Sequence, residues 1–299
     1  MATADGALGN EVLVALDGSE KDQRGLAVAL AWARLAGASV HLVRVARPAS
    51  SRTVNAAELI GIKPSDVAGR ADAEEQLAHI AASLTAESAK PISWDVLEGE
   101  DVPSVVVRAA EASHVQTVVM GTGGRTGAKL AMLGSVADQV TRQCSKPVIV
   151  VPPGAFDLED KRIEIKRLLV PLDGSTLADR ALDLLLALAG VSELDLALLG
   201  VVHNEQDITF VGKRLRRARE RICGNSGQVT THVVLHGSAA DSITGAIREL
   251  LVDMIAMSTR GEGGLRRLVL GSVAQQVVSA SEVPVLLLTP TMLADHVAA

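Results

Sequence analysis

The chain repeats itself once, and that repeat limits what it can fold into. Val12-Leu-Val-Ala-Leu-Asp-Gly-Ser19 returns as Leu168-Leu-Val-Pro-Leu-Asp-Gly-Ser175, and Val118-Val-Met-Gly-Thr-Gly-Gly124 returns as Ile255-Ala-Met-Ser-Thr-Arg-Gly261. Leu133-Gly-Ser-Val-Ala137 is echoed by Leu270-Gly-Ser-Val-Ala274. The halves close on Lys146-Pro-Val-Ile-Val-Val151 and Val283-Pro-Val-Leu-Leu-Leu288. The offset is 156 residues at the first motif (17 to 173) and 137 at the last (134 to 271). The first half therefore carries 19 extra residues between its second and third strands. Repeats this long are domains rather than solenoid units. They are expected at 1–152 and 163–299, divided by a stretch mixing turn formers with charges.

Within each half, short aliphatic runs alternate with helical patterns. In the first half, strands are expected at 12–16, 40–45, 92–97, 117–120 and 148–151. Helices follow Ser19, which can cap the first of them, then start near Ala71, cover 102–112 and start at Ser135. The second half runs in the same order. Continuous aliphatic strands alternating with helices imply a mainly parallel sheet covered on both faces. With right-handed crossovers, this gives two tandem doubly wound, Rossmann-like α/β domains. Ligands bind such sheets outside the carboxyl ends of strands, at the switch point of strand order, and both repeated motifs sit at carboxyl ends.

Composition removes several function classes. With 48% apolar residues the chain is not disordered. A net charge of −6 and a bare four aromatics, Trp32, Trp94, Phe156 and Phe210, argue against nucleic acid as a partner. The most apolar stretch, near 182–202, is broken by Asp183, Glu193 and Asp195, so no membrane span is expected. Two cysteines, Cys144 and Cys223, have no metal-ligand spacing, and this usage suits a reducing cytoplasm. The start of the chain shows neither a basic region nor an apolar core of the secretory kind.

The strongest chemical signal is Gly121-x2-Gly124-x9-Gly134-Ser135, with Ser258-x2-Gly261-x9-Gly271-Ser272 in the second half. Glycines after a strand let a ligand approach the backbone closely. A helix beginning near Gly134-Ser135 offers N–H groups and a dipole to phosphate. Arg125 and Lys129, or Arg260, Arg266 and Arg267, supply counter-charge. Asp17 and Asp173, at strand ends, can accept hydrogen bonds from ribose hydroxyls. Neither a Walker-A loop nor a dinucleotide fingerprint is present.

This order and spacing resembles the universal stress protein family in its tandem two-domain form, over nearly the whole chain. The resemblance implies an ATP-binding stress-response or regulatory protein, with Mg²⁺ or Mn²⁺ on the phosphates and little or no hydrolysis. It implies ribose contacts at Asp17 and Gly121, an adenine contact at Val45, and phosphate contacts at Gly124, Gly134, Ser135 and Val136. In the second half the matching residues are Asp173, Val201, Gly261, Gly271, Ser272 and Val273. Ser258 stands where the first glycine belongs, so the second site is expected to be the weaker. The resemblance also implies an internal pseudo-dimer joined through the last strands; a further homodimer and a protein partner stay open.

Plainer readings stand beside these. The glycines can serve a strand-to-helix turn alone, and the aspartates can be capping residues, although Ser19 and Ser175 can fill that role. Ser135 and Ser272 can be N-caps. The run Arg214, Arg216, Arg217, Arg219 and Arg221 reads as a solvated helix face. No HExxH, Ser-His-Asp or GxSxG pattern supports an ordinary hydrolase, so an enzyme is not the favoured reading. A nucleotide-free scaffold of the same fold and a very slow ATPase are the alternatives.

Overall fold

The computed structural model of the chain describes residues 9–19, 22–47, 69–122, 133–153, 155, 163–188, 194–222, 227–235, 238–259 and 270–288. In the first half these form β1 (Glu11–Leu16), α1 (Asp22–Ala36), β2 (Ser39–Ala46), α2 (Arg70–Leu84) and β3 (Ile92–Glu98). Then come α3 (Val102–Ala110), β4 (Val115–Gly121), α4 (Ser135–Gln143) and β5 (Val148–Val151). The second half gives β6 (Arg167–Pro171), α5 (Thr176–Leu188), β7 (Asp195–Val202), α6 (Ile208–Ile222) and β8 (Val229–Leu235). It ends with α7 (Ala239–Glu249), β9 (Met254–Ser258), α8 (Ser272–Ala280) and β10 (Val285–Leu288).

All ten strands lie in one sheet, in the order β3-β2-β1-β4-β5-β10-β9-β6-β7-β8. Within each half the pairs are parallel, and β5 meets β10 antiparallel. The chain thus buries the apolar last strand of each half at the centre of the sheet, where it cannot recruit another chain. The edges fall to β3 and β8, whose polar Ser93, Asp95, Thr230 and His232 suit that position.

Both faces are covered. Leu26, Val28 and Trp32 of α1, Leu77 of α2, Leu182 and Leu185 of α5 and Leu215 of α6 pack on one face. Val106 of α3, Val140 of α4, Ile243 of α7 and Val277 of α8 pack on the other. Each such side chain contributes roughly 1.5–3 kcal/mol by leaving water. Both layers run unbroken across the two halves, which explains why the strand sequences show continuous aliphatic runs rather than alternation.

The extra residues of the first half are also placed. Helices α2 and α6 are of equal length, 15 residues each. The connection before α2 takes residues 47–69, whereas that before α6 takes 203–207. All but one residue of the excess therefore precedes the crossover helix; residues 48–68 lie outside the described residues, as does most of the stretch between the halves.

Candidate functional site

Strand order reverses between β1 and β4, and again between β6 and β9. At the first switch point Ala15 pairs with Met120 and Leu16 with Arg44. Asp17 therefore emerges between Val45 of β2 and Gly121 of β4. At the second, Leu172 N–H donates to Leu199 O at 2.8 Å, which sets Asp173 beside Val201. Ser258 ends the neighbouring β9. The sequence-predicted trio is brought together in both halves.

The aspartates shape the turn they stand in. Gly18 has φ +79° and Gly174 φ +94°, left-handed values that a side chain rarely adopts. Asp17 Oδ1 accepts from Ser19 N–H at 2.9 Å, and Asp173 Oδ1 accepts from Ser175 N–H at 2.9 Å and from Ser175 Oγ–H at 2.7 Å. One carboxylate oxygen in each half is thus committed to the turn, so the serines do not leave the aspartates wholly unengaged. Ser175 Oγ does cap α5, accepting from Ala178 N–H at 3.1 Å. Ser19 stands before α1, which is described from Asp22 onward, residues 20 and 21 lying outside the described residues. Its Oγ is buried without a hydrogen-bond partner among the described residues.

The motif's last glycine is required by a close approach. Gly134 N–H donates to Thr122 O at 2.9 Å, and a Cβ on Gly134 would stand 2.5 Å from that same oxygen. Gly271 N–H makes the same bond to Thr259 O at 2.8 Å. The threonines are in turn held to the last strands, Thr122 N–H donating to Val151 O at 3.1 Å and Thr259 N–H to Leu288 O at 2.9 Å. These threonines were legible as the shared residue after Gly121 and Ser258, although their role falls to the backbone.

Gly134 and Gly271, not Ser135 and Ser272, are the N-caps of α4 and α8, and no side chain caps either helix. The serines are first helical residues instead, because the backbone bond to threonine fixes the glycine at the cap. The first-turn N–H groups of Ser135 and Val136, and of Ser272 and Val273, therefore meet no competing side-chain acceptor at the cap. The dipole there favours an anion. Asp138 opposes that field but is paired with Arg142 at 2.8 Å; its counterpart in α8 is neutral Gln275.

At Gly121 an added Cβ would meet nothing within 4 Å. Neither Gly121 nor Ser258 has a left-handed backbone, so serine sits in the second half without strain. Gly124, Gly261 and the basic residues Arg125, Lys129, Arg260, Arg266 and Arg267 lie outside the described residues.

Two residues at the turns had no signal in their own motifs. A methyl on Gly18 would stand 2.7 Å from Arg44 Cζ, and one on Gly174 would fall inside the Arg214 guanidinium. Arg214 is half-buried and stands 5.8 Å from the Phe210 ring centroid, so the basic run of α6 is not uniformly a solvated face. Cys144 is buried, and burial pushes its thiol up to about 12, which makes it structural.

The universal stress protein family model matches residues 10–152 and again 164–289. The chain belongs to the universal stress protein family. A universal stress protein of Synechocystis, Slr1230, is 24% identical over 92% of this chain and 98% of its own length. A universal stress protein structure from Archaeoglobus fulgidus superposes with a TM-score of 0.66 over 94% of this chain and 98% of that one, at 23% identity. One from Pseudomonas aeruginosa gives 0.60 over 96% and 95%, at 15% identity. The likeness runs over nearly the whole of each chain, so the fold is shared across both halves. Among the described residues no helix is long and apolar enough to cross a membrane.

Proposed function

We propose that each half binds ATP at its switch point, with Mg²⁺ or Mn²⁺ on the phosphates, and that the chain is a stress-response regulator rather than a catalyst. In this reading Asp17 and Asp173 accept from ribose hydroxyls, and the backbone at Val45 and Val201 meets adenine. Gly121 and Ser258 flank the ribose. The first-turn amides of α4 and α8, at Ser135, Val136, Ser272 and Val273, take the phosphates together with Gly124 and Gly261. The units are residues 1–152 and 163–299, and the setting is the cytoplasm.

One observation carries this reading. The same cradle is built twice: a glycine N-cap bonded to a threonine carbonyl, so closely at Gly134 that a Cβ would collide, beside an aspartate-bearing left-handed turn. A turn alone needs neither the unclaimed cap nor its repetition at the second switch point. When bound, the cation would neutralise phosphate charge; this chain's residues fix only where the phosphates lie.

The test is to denature the purified protein and quantify released nucleotide by chromatography, then titrate emptied protein with ATP and Mg²⁺. Two equivalents per chain would support both sites, and one would leave the Ser258 site as a nucleotide-free scaffold. None released and no calorimetric binding would overturn the proposal in favour of a scaffold throughout.

A further inference from the structure

The two halves deliver a guanidinium to the same place from different elements. In the first half it comes from the strand: Arg44 of β2 lies against Gly18 and donates to Gln76 of α2. In the second half the strand position equivalent to Arg44 is Gly200, one residue before Val201 as Arg44 is one before Val45. There the charge comes from the helix. Gln76 and Arg214 are both the seventh residue of their fifteen-residue helices, each immediately before the buried leucine, Leu77 or Leu215. The pair Arg44 and Gln76 has thus become Gly200 and Arg214, a reciprocal exchange.

Packing explains how the exchange is possible. A Cβ on Gly200 would overlap Val211 and stand 3.3 Å from Leu215 Cδ1, so the glycine lets α6 settle against β7 and brings Arg214 within reach of Gly174. The fold alone does not ask for a cation here. Arg44 is 6% exposed, and withdrawing a charge from water is expensive. The chain incurs that cost at Arg44, and in the other half brings half-buried Arg214 from a different element to the matching turn.

We infer that Arg44 and Arg214 are the positioning residues of the two sites, each holding the Asp-Gly-Ser turn in the shape that offers Asp17 or Asp173 to the ribose of a bound nucleoside triphosphate. The inference rests on the nucleotide reading above. A planar guanidinium fits flat against a glycine backbone where any side chain would exclude it, and its charge lies one residue from the carboxylate. Gly18 and Gly174 are then constrained twice, by their left-handed backbone and by the guanidinium.

The test uses the full chain with its second site silenced by Gly271→Val, titrated calorimetrically with ATP, 2′-deoxyATP and 3′-deoxyATP in Mg²⁺. The parent is expected to prefer ATP over one of the deoxy forms by roughly tenfold or more, the scale of a hydrogen bond to a charged group. Arg44→Ala is expected to erase that preference while leaving affinity for the disfavoured deoxy form unchanged. Arg44→Gly with Gln76→Arg, which copies Gly200 and Arg214 of the second half, is expected to restore it. Arg44→Met, which keeps the packing of the stem, repeats the measurement if the alanine variant is unstable. An Arg44 variant that keeps the full preference, or weakens all three ligands equally, overturns the inference and leaves the nucleotide reading standing. A parent that binds none of the three overturns the nucleotide reading and this inference with it.

Discussion

Ile149 and Leu286 lie directly opposite each other in the antiparallel pair β5–β10, and they are also each other's counterparts in the repeat. Val148 pairs with Leu287 and Val150 with Val285 in the same crossed fashion. The local two-fold relating the halves therefore passes through the Ile149–Leu286 pair. Both side chains are fully buried and join the same face of the core. Antiparallel pairing of two last strands is what turns a tandem duplication into a closed pseudo-dimer rather than two beads on a string.

That relationship predicts one unfolding transition. Leu286→Ala should cost about 2–5 kcal/mol, the range for truncating a buried leucine. The chain's two tryptophans, Trp32 and Trp94, both lie in the first half, so their fluorescence reports that half while far-UV dichroism reports both. In denaturant the two signals should share one midpoint, and Leu286→Ala should lower both together. A variant whose fluorescence midpoint stays put while the dichroism splits would show that the halves unfold independently.

The amino end of the second half's sheet predicts a pH dependence unrelated to nucleotide. Asp195 accepts from Gln228 N–H at 2.8 Å and pairs with Arg167 at 3.0 Å, and these hold its carboxyl below the ordinary value of 3.8. Its contribution is present above that value and is lost as pH falls through the lower folded one. His232 is pushed below its ordinary 6.5 by burial and then by Arg167. The unfolded chain takes that proton first, so stability falls as pH drops below 6.5. His232→Asn should flatten the decline just below pH 6.5, and Asp195→Asn the one below pH 3.8, in denaturant midpoints measured across pH. ATP affinity at neutral pH should not move in either variant.

The strands were readable because burial on both faces leaves an unmistakable aliphatic run; Val148–Val151 has the same bounds in sequence and structure. Where a strand hides polar residues the reading falls short. Strand β4 begins at Val115, two residues before the expected Thr117, because polar Gln116 is buried within it. Thr117 Oγ1 accepts from Trp32 Nε1–H at 3.3 Å, a tertiary bond that no local pattern announces. The glycine and aspartate motifs were legible as spacing and the resemblance added Val45; the strand register sets Asp17 beside Val45 and Gly121. The caps were not, because a backbone bond from glycine to threonine displaces serine from a role its chemistry suits. Arg44 and Arg214 were invisible for a related reason: one sits in a strand, the other on a helix, and no sequence period joins them.

Cys144 should behave as core rather than as a redox centre. It ends α4, its Sγ accepts from Lys146 N–H at 3.4 Å, and burial keeps the thiol protonated far above neutral pH. Thiolate is the reactive form, so a Cys223→Ser chain should not react with a thiol reagent at pH 8 until denaturant unfolds it. The labelling rate should track the unfolded fraction across the denaturant series. Rapid stoichiometric labelling of the folded chain would contradict this.

Gly134, Gly121 and Ser258 should respond differently to substitution. Gly134→Val places a Cβ 2.5 Å from Thr122 O, so one of the two backbones must shift. The expected cost is about 1–3 kcal/mol of stability, as for other overpacked sites, with first-site ATP affinity reduced tenfold or more. Gly121→Ser adds a Cβ where nothing lies within 4 Å and no left-handed backbone is strained. Its stability should stay within about 0.5 kcal/mol of the parent. Its ATP affinity should nevertheless fall several-fold toward that of the second site, because the hydroxymethyl group enters the space beside the ribose. Ser258→Gly should move the second site the other way. Calorimetry resolving two sites, together with a melting curve for each variant, separates the outcomes. Equal affinities in the Gly121→Ser chain and its parent would mean that the serine does not weaken the second site, whose difference must then come from other residues of that half.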